Sequence, residues 1–416
     1  MSSRTGTLRA VVRGSAGIAI AMGIMNVATY GFQIIAARLL GPREYSGIAS
    51  LMALLLVVNV VALGLQATGA RRVAAEPSRR AEIESAVMAA SHRSAWALGA
   101  ACLALTPLIS LALDLDDWAA AAMIGVSTVP LTIMGGQAGV LQGEGRWGAL
   151  SAVYLGMGLG RLALGLALMP VFDSTFGAMV AVAIAAWVPA VIGWFALRGR
   201  ASAAAAWSGT TTILREVAGN SYALLAFFAL SNVDVILARA RFDEHDAGLY
   251  AGGLILTKAV LFLPQFVVVI AFPSMASSAG QHRMYLRGLA AVAAIGAVAT
   301  LGAVVLSSLA ITFIGGSKYA EVEPNIWLFA TLGTLLALIQ LMVYEVVARQ
   351  HRASVLIVWA GLVLVAVGSL LVDNGHQLVR AVALVDLGVL VSLVVTAMLH
   401  PSQRRGRSTE ASSSTS

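Results

Sequence analysis

Twelve apolar runs of roughly twenty residues, parted by short charged turns, leave this 416-residue chain few ways to fold. They cover 15–37, 47–69, 94–113, 118–140, 148–170, 175–197, 217–238, 247–271, 288–313, 325–348, 353–372 and 378–399. Each can cross a bilayer as a helix, and in hydrocarbon only helices and closed barrels satisfy every backbone N–H and C=O. A water-soluble core is excluded by composition. Residues are 59% hydrophobic and 11% charged, the mean hydropathy is +0.86, and soluble domains are about 25% charged. The expected fold is an all-α membrane protein of about twelve transmembrane helices. The first run follows Arg4, Arg9 and Arg13 as a signal peptide would. It continues to Ala37 without a small-residue cleavage site, and so reads as a retained span.

Lys and Arg in alternate loops give the orientation. Nineteen fall on one side: the N-terminal three, Arg71, Arg72, Arg79, Arg80, Arg93, Arg146, Arg198, Arg200, Arg215, Arg283, Arg287, Arg349, Arg352, Arg404, Arg405 and Arg407. The other side has Arg38, Arg43, Arg239, Arg241, Lys318 and Arg380, together with most of the acids. Both termini are expected in the cytoplasm of a multi-pass bacterial plasma-membrane protein. The net charge of +7 is spread over short clusters without a continuous basic face, which argues against nucleic acid. The single cysteine, Cys102, excludes a disulfide framework or a cysteine metal site, and no cofactor or metal ligand set is apparent. No spacing suits a nucleophile and its base, so no enzyme is expected.

The turn from Ala37 to Gly47 superposes without gaps on Ala238 to Gly248 at an offset of 201 residues, matching Ala37, Arg38 and Gly47 to Ala238, Arg239 and Gly248. Both follow the first helix of a six-helix set. The chain therefore reads as two parallel repeats, residues 1–198 and 217–400, around a central cavity where such carriers place their substrate. Between them lies a linker, 199–216, whose Trp207 and Ile213-Leu214 suggest contact with the membrane surface. Residues 401–416 form a polar tail expected to be disordered and cytoplasmic.

The turn "ARLLGPREYSGIASL" (37–51) resembles the signature turn of the polysaccharide transporter branch of the MOP superfamily, the O-antigen, capsule and exopolysaccharide flippases. So does "DVILAR…AGLYAGG" (234–253) in the second half, while "LQGEGRW" (141–147) and "GGSKYAE" (315–321) resemble that family's later turns. Two departures stand out: Phe242-Asp243 replaces the usual Gly-Pro, and no thirteenth or fourteenth span follows. The resemblance implies a flippase that moves an undecaprenyl-diphosphate-linked oligosaccharide between leaflets for polysaccharide assembly. Its implied partners are the lipid-linked glycan, membrane lipids, and a polysaccharide polymerase or glycosyltransferases.

A charge inside a span costs about 2.5–3.5 kcal/mol on insertion scales, so each needs a partner or a wet cavity. Lys258 lies near the midplane of the eighth run, a candidate diphosphate ligand, with Gln265 on the same face; Pro264 predicts a bend beside it. The alternative for Lys258 is a structural ion pair, for instance with Asp386. Arg161, deep in the fifth run, has the geometry for bidentate phosphate contact. Asn26, Tyr30 and Gln33 form a polar stripe on the first run, and Asn59 and Gln66 another on the second. Such stripes either face a sugar-binding cavity or bond helices together. Asp234, matched to Gln33 by the repeat, could face the cavity or pair with Arg239 or Arg241. Asp386, in the last run, is the candidate coupling-ion site.

Two other functions compete. A cation-coupled antiporter of the multidrug and toxin extrusion type would share the twelve spans, but intramembrane Arg161 and Lys258 favour an anionic cargo. A glycan polymerase or ligase needs a large outward loop, and every outward loop here is short.

Overall fold

The computed structural model describes residues 2–198, 210–275, 281–349 and 352–399, with side chains omitted for 2–16, 220, 263–286, 344–353 and 399. Trp207 and the tail lie outside the described residues, as do the side chains of Pro264 and Gln265. All regular structure in the described residues is helical. Helix α1 (Ser2–Val58) carries the first two spans as one trace broken at Gly41. There φ is +76°, a left-handed value that glycine adopts without a Cβ clash, and Pro42 restarts the helix. The second span pauses at Asn59 and ends as α2 (Val60–Ala75). The third is α3 (Arg80–Ala104) with α4 (Thr106–Ala112), bent by 53° at Leu105. Then come α5 (Trp118–Gly143), α6 (Trp147–Phe172) and α7 (Thr175–Leu197). The second half repeats the plan with α8 (Thr210–Arg241), α9 (Glu244–Met275), α10 (Gln281–Val305), α11 (Ser307–Ile314), α12 (Ile326–Arg349), α13 (Arg352–Ser369) and α14 (Gly375–Leu399).

The repeat extends beyond the matched turns. The third span breaks at Leu105 and its counterpart, α10 with α11, at Leu306, again 201 residues apart. The turns themselves differ where the sequence departs. The first turn relies on Gly41, whereas the second uses Asp243, whose carboxylate accepts from His245 N (2.9 Å) and Asp246 N (3.1 Å) to cap α9.

Helix ends lie close to the predicted ones except at four starts on the arginine-rich side, where α1 begins at Ser2 rather than 15, α10 at Gln281 rather than 288, and α3 and α8 also overrun. Helix α3 begins at Arg80 rather than 94, and α8 at Thr210 rather than 217. Hydropathy detects depth in lipid, not helix length. Outside the bilayer, Glu82 and Glu84 one turn from Arg79 and Arg80 support the extension of α3. Ile213 is buried with Leu65, Val73 and Val217, so this part of the expected linker packs as helix instead of lying on the membrane surface.

Close packing explains the alanine and glycine content. Gly135, Gly139 and Gly143, four residues apart on α5, lie against the α2 backbone, where added Cβ atoms would fall 2.5, 2.7 and 2.8 Å from the carbonyl oxygens of Ala62, Gln66 and Ala70. One end of the bundle gathers the acidic turns, seen in the pairing of Glu44 with Thr175 and of His245 with Glu321. The opposite end gathers arginines, with Arg80 and Arg146 on Glu144. The halves meet mainly where both segments of α1 pack on α8 and α9, and where α2 packs on α8.

Candidate functional site

A cavity lies in this seam. From α1 it is lined by Gln33, Tyr45, Met52 and Leu56, and from α9 by Leu254 and Lys258. Gln33 and Lys258, chosen separately from sequence, thus face the same space from opposite halves. Tyr30, one turn before Gln33, meets Phe262 of α9 edge-to-face at 5.9 Å, and its buried hydroxyl has no hydrogen-bond partner among the described residues. Asn26, one turn further back, is half-buried.

Lys258 is not in an ion pair with Asp386. Its Nζ donates to Asn232 Oδ1 at 2.6 Å, and among the described residues no carboxylate lies within 4.0 Å of it. Asn232, on α8 and 2% exposed, donates in turn to Phe228 O (2.8 Å) and Ser231 Oγ (3.1 Å). The sequence reading passed over Asn232. An amide deep in the apolar run of α8, twelve residues beyond Asn220, was the available signal.

Asp234 and Asp386 form a second group inside the C-terminal half, where they interact electrostatically. Asp234 does not pair with Arg239 or Arg241. Its carboxylate accepts from Tyr250 Oη at 2.8 Å and from Val235 N at 2.9 Å. Tyr250, a further residue not foreseen, is fixed by edge-on packing against Phe329 at 5.6 Å. Asp386 is fully buried, and among the described residues neither of its carboxylate oxygens has a hydrogen-bond partner. A bare buried carboxylate costs several kcal/mol unless it is neutralised, so this position favours a proton or a bound cation. Among the described residues no three His, Cys, Asp or Glu side chains come together as a metal site.

The remaining candidates sit in the N-terminal half. Gln66 donates to Gln142 Oε1 (3.0 Å) and Tyr154 Oη (2.7 Å), tying α2 to α5 and α6. Asn59 occupies the interruption before α2, its Oδ1 buried and without a partner among the described residues. Arg161 is 5% exposed on the face of α6 that packs on α1, and its Nε has no partner among the described residues.

The acid-rich end of the seam is shut. Arg239, 5% exposed at the end of α8, donates to Leu113 O (2.8 Å), Asp114 O (2.6 Å) and Ser46 Oγ (2.8 Å) of the N-terminal half, and to Glu244 of its own half (2.8 Å). Arg38, its repeat counterpart, donates to Thr312 O of α11. Each arginine therefore crosses to carbonyls at the end of the other half's short broken helix, where a cation also meets the negative pole of the helix. Lys318 Nζ on Arg38 O (3.1 Å) and Tyr319 Oη on Ala37 O (3.3 Å) add to the closure. Gly248 lies so close to Pro42 that a Cβ would fall 2.0 Å from its carbonyl oxygen. At the arginine-rich end the halves are bridged by Glu216 of α8, which pairs with Arg72 (2.8 Å) and Arg71.

No protein-family model matches the chain, and no curated protein matches it. Solved structures do. The fold is similar to the inward-facing conformation of a multidrug resistance MATE family transporter of the MOP superfamily (TM-score 0.71, 12% identity, 92% of this chain and 97% of that one). It is similar also to an outward-facing conformation bearing the same description (0.64, 14%, 94% and 95%). A third is the MATE multidrug transporter DinF-BH in complex with R6G (0.66, 13%, 94% and 95%). The chain has the fold of these transporters, twelve spans in two halves.

Proposed function

We propose that this MATE-like chain is a secondary transporter whose halves alternately expose the seam cavity, and that its cargo is an undecaprenyl-diphosphate-linked oligosaccharide. In this reading it sits in the bacterial cytoplasmic membrane with the arginine-rich end inward, and carries the glycan from inner to outer leaflet. The observation that carries it is Lys258, a cation on the wall between the halves whose partner is a neutral amide. A charge there is tolerable when it meets water or an anion, and a diphosphate supplies the anion. Gln33, Tyr30 and Asn26 offer hydrogen bonds to sugar hydroxyls from the facing helix, and Arg161 on α6 a second fixed charge. The apolar part of the lining, Met52, Leu56 and Leu254 among it, suits lipid. Asp386 with Asp234 is set apart as the site of a coupling proton or sodium ion. Both ends of the seam are bridged between the halves, by Arg239 and Arg38 at the acid-rich end and by Glu216 with Arg71 and Arg72 at the other, contacts that must break in turn for the halves to alternate.

A second reading is a cation-coupled antiporter of the multidrug and toxin extrusion type. The comparisons favour it, because the three structures named above are described as multidrug or multidrug resistance transporters. The cavity lining opposes it, since a cationic drug would be held by carboxylates and none is among the lining residues. Deletion of the gene decides. Loss of surface or secreted glycan with precursor accumulating in the inner leaflet, restored by the wild type and not by well-expressed Lys258→Ala, is the expected result. Unchanged glycan with sensitivity to cationic dyes would establish drug export instead.

A further inference from the structure

We propose that Asn232 is a specificity-determining residue, which holds the Lys258 ammonium at the seam cavity without cancelling its charge and so tunes the transporter to anions. The inference rests on reading Lys258 as a cargo ligand. An ammonium has three N–H donors and no acceptor, so only an acceptor can anchor it. In a buried setting that acceptor is ordinarily a carboxylate, which holds the lysine and neutralises it together. Here the acceptor is the amide oxygen of Asn232, at 2.6 Å.

The amide is itself fixed. Its nitrogen donates to Phe228 O at 2.8 Å and to Ser231 Oγ at 3.1 Å, so a flip would turn N–H groups on both the ammonium and away from two acceptors. At 2% exposure Asn232 reaches no cargo, and it acts through the lysine. The nearest acid along α8, Asp234, is two residues on and about 200° around the helix; its carboxylate is bonded to Tyr250 and attracts the ammonium from a distance, without direct contact. Among the described residues Lys258 is thus held by one hydrogen bond, which leaves two donors for an incoming anion, and no carboxylate in direct contact pairs its charge. A carboxylate in the place of the Asn232 amide would reverse that logic at the same distance, pairing the charge internally.

The test is equilibrium binding to the purified full chain in lipid nanodiscs, with radiolabelled undecaprenyl diphosphate as one probe and a lipophilic cationic dye as the other. Thermal unfolding and monodispersity report folding. Asn232→Asp should weaken lipid binding by at least about tenfold, the scale of one charge-assisted hydrogen bond, and strengthen dye binding. Asn232→Ser, which keeps a neutral acceptor, should stay within about threefold of wild type for both probes. Asn232→Asp with unchanged lipid binding, or Asn232→Ser as defective as Asn232→Asp, overturns the proposal. Should Asn232→Asp fail to fold, Asn232→Ser and Asn232→Ala decide: weakened lipid binding in Asn232→Ala with near wild-type binding in Asn232→Ser supports it, whereas wild-type binding in Asn232→Ala, or a loss in Asn232→Ser equal to that of Lys258→Gln, overturns it. Lys258→Gln also separates the two claims. If it binds the lipid normally, the cargo reading itself fails; if it loses binding while Asn232→Asp does not, only the role of Asn232 falls.

Discussion

Replacing Arg239 with alanine should unlock the acid-rich end. The guanidinium makes three hydrogen bonds across the seam, to Leu113 O, Asp114 O and Ser46 Oγ, and only these are lost when the halves separate. The fourth, to Glu244, stays within one half and does not count toward closure. Separation lets water replace each cross-seam bond, so the relevant figure is the net value of about 0.5–1.5 kcal/mol per bond. Three bonds give about 1.5–4.5 kcal/mol, a roughly tenfold to thousandfold shift of the closed–open equilibrium. The assay is pulsed electron paramagnetic resonance between spin labels at Asp116→Cys and Glu321→Cys, in a Cys102→Ala background that removes the one native thiol. Arg239→Ala should add a population at longer distance, and a cysteine at Ala49, in the cavity wall, should become labelled from the acid-rich side. Unchanged distances and labelling in a folded Arg239→Ala protein would refute the assignment of the clamp.

Asp386→Asn should leave thermal stability unchanged or raised, because it removes a carboxylate without partners, yet abolish ion-driven transport in proteoliposomes; wild-type transport would exclude it as the coupling site. Gly248→Ala places a methyl on the Pro42 carbonyl and should cost about 1–3 kcal/mol in thermal unfolding, with a wild-type melting curve counting against the close approach. Gln66→Ala should lose about 1 kcal/mol, two interhelical bonds at membrane values, and keep its transport rate; a stable protein without transport would mean that Gln66 touches cargo.

The spans were legible because the bilayer imposes a single strong pattern on sequence, apolar length. The repeat was legible from its turns, and the breaks at Leu105 and Leu306 show it running deeper than identity reveals. Gln33 and Lys258 could be placed in the seam because polar groups in lipid-depth helices must face something polar. What stayed hidden was pairing. Lys258 could have met Asp386 as readily as Asn232 on sequence grounds, since helix order does not fix which faces touch. The partners of Asp234 were misjudged for a related reason. Arg239 is close in sequence, but five residues along a helix swing it far around the axis, and it found acceptors in the other half. Gln66 and Asn59 look alike as polar groups on one run, and only tertiary structure separates a residue that bonds three helices together from one beside a helix break.

The crossed arginines give the closure the character of a bivalent attachment. While Arg239 holds its carbonyls, Arg38 and Thr312 remain neighbours at high effective concentration, so a clamp that lets go recloses before the halves drift apart. Separation needs both to be free at once, and the probability of that event is closer to a product than to either opening alone. In the proposed transport cycle such a seal would suppress partial, leaky excursions, while still letting the two halves part fully once both clamps are released.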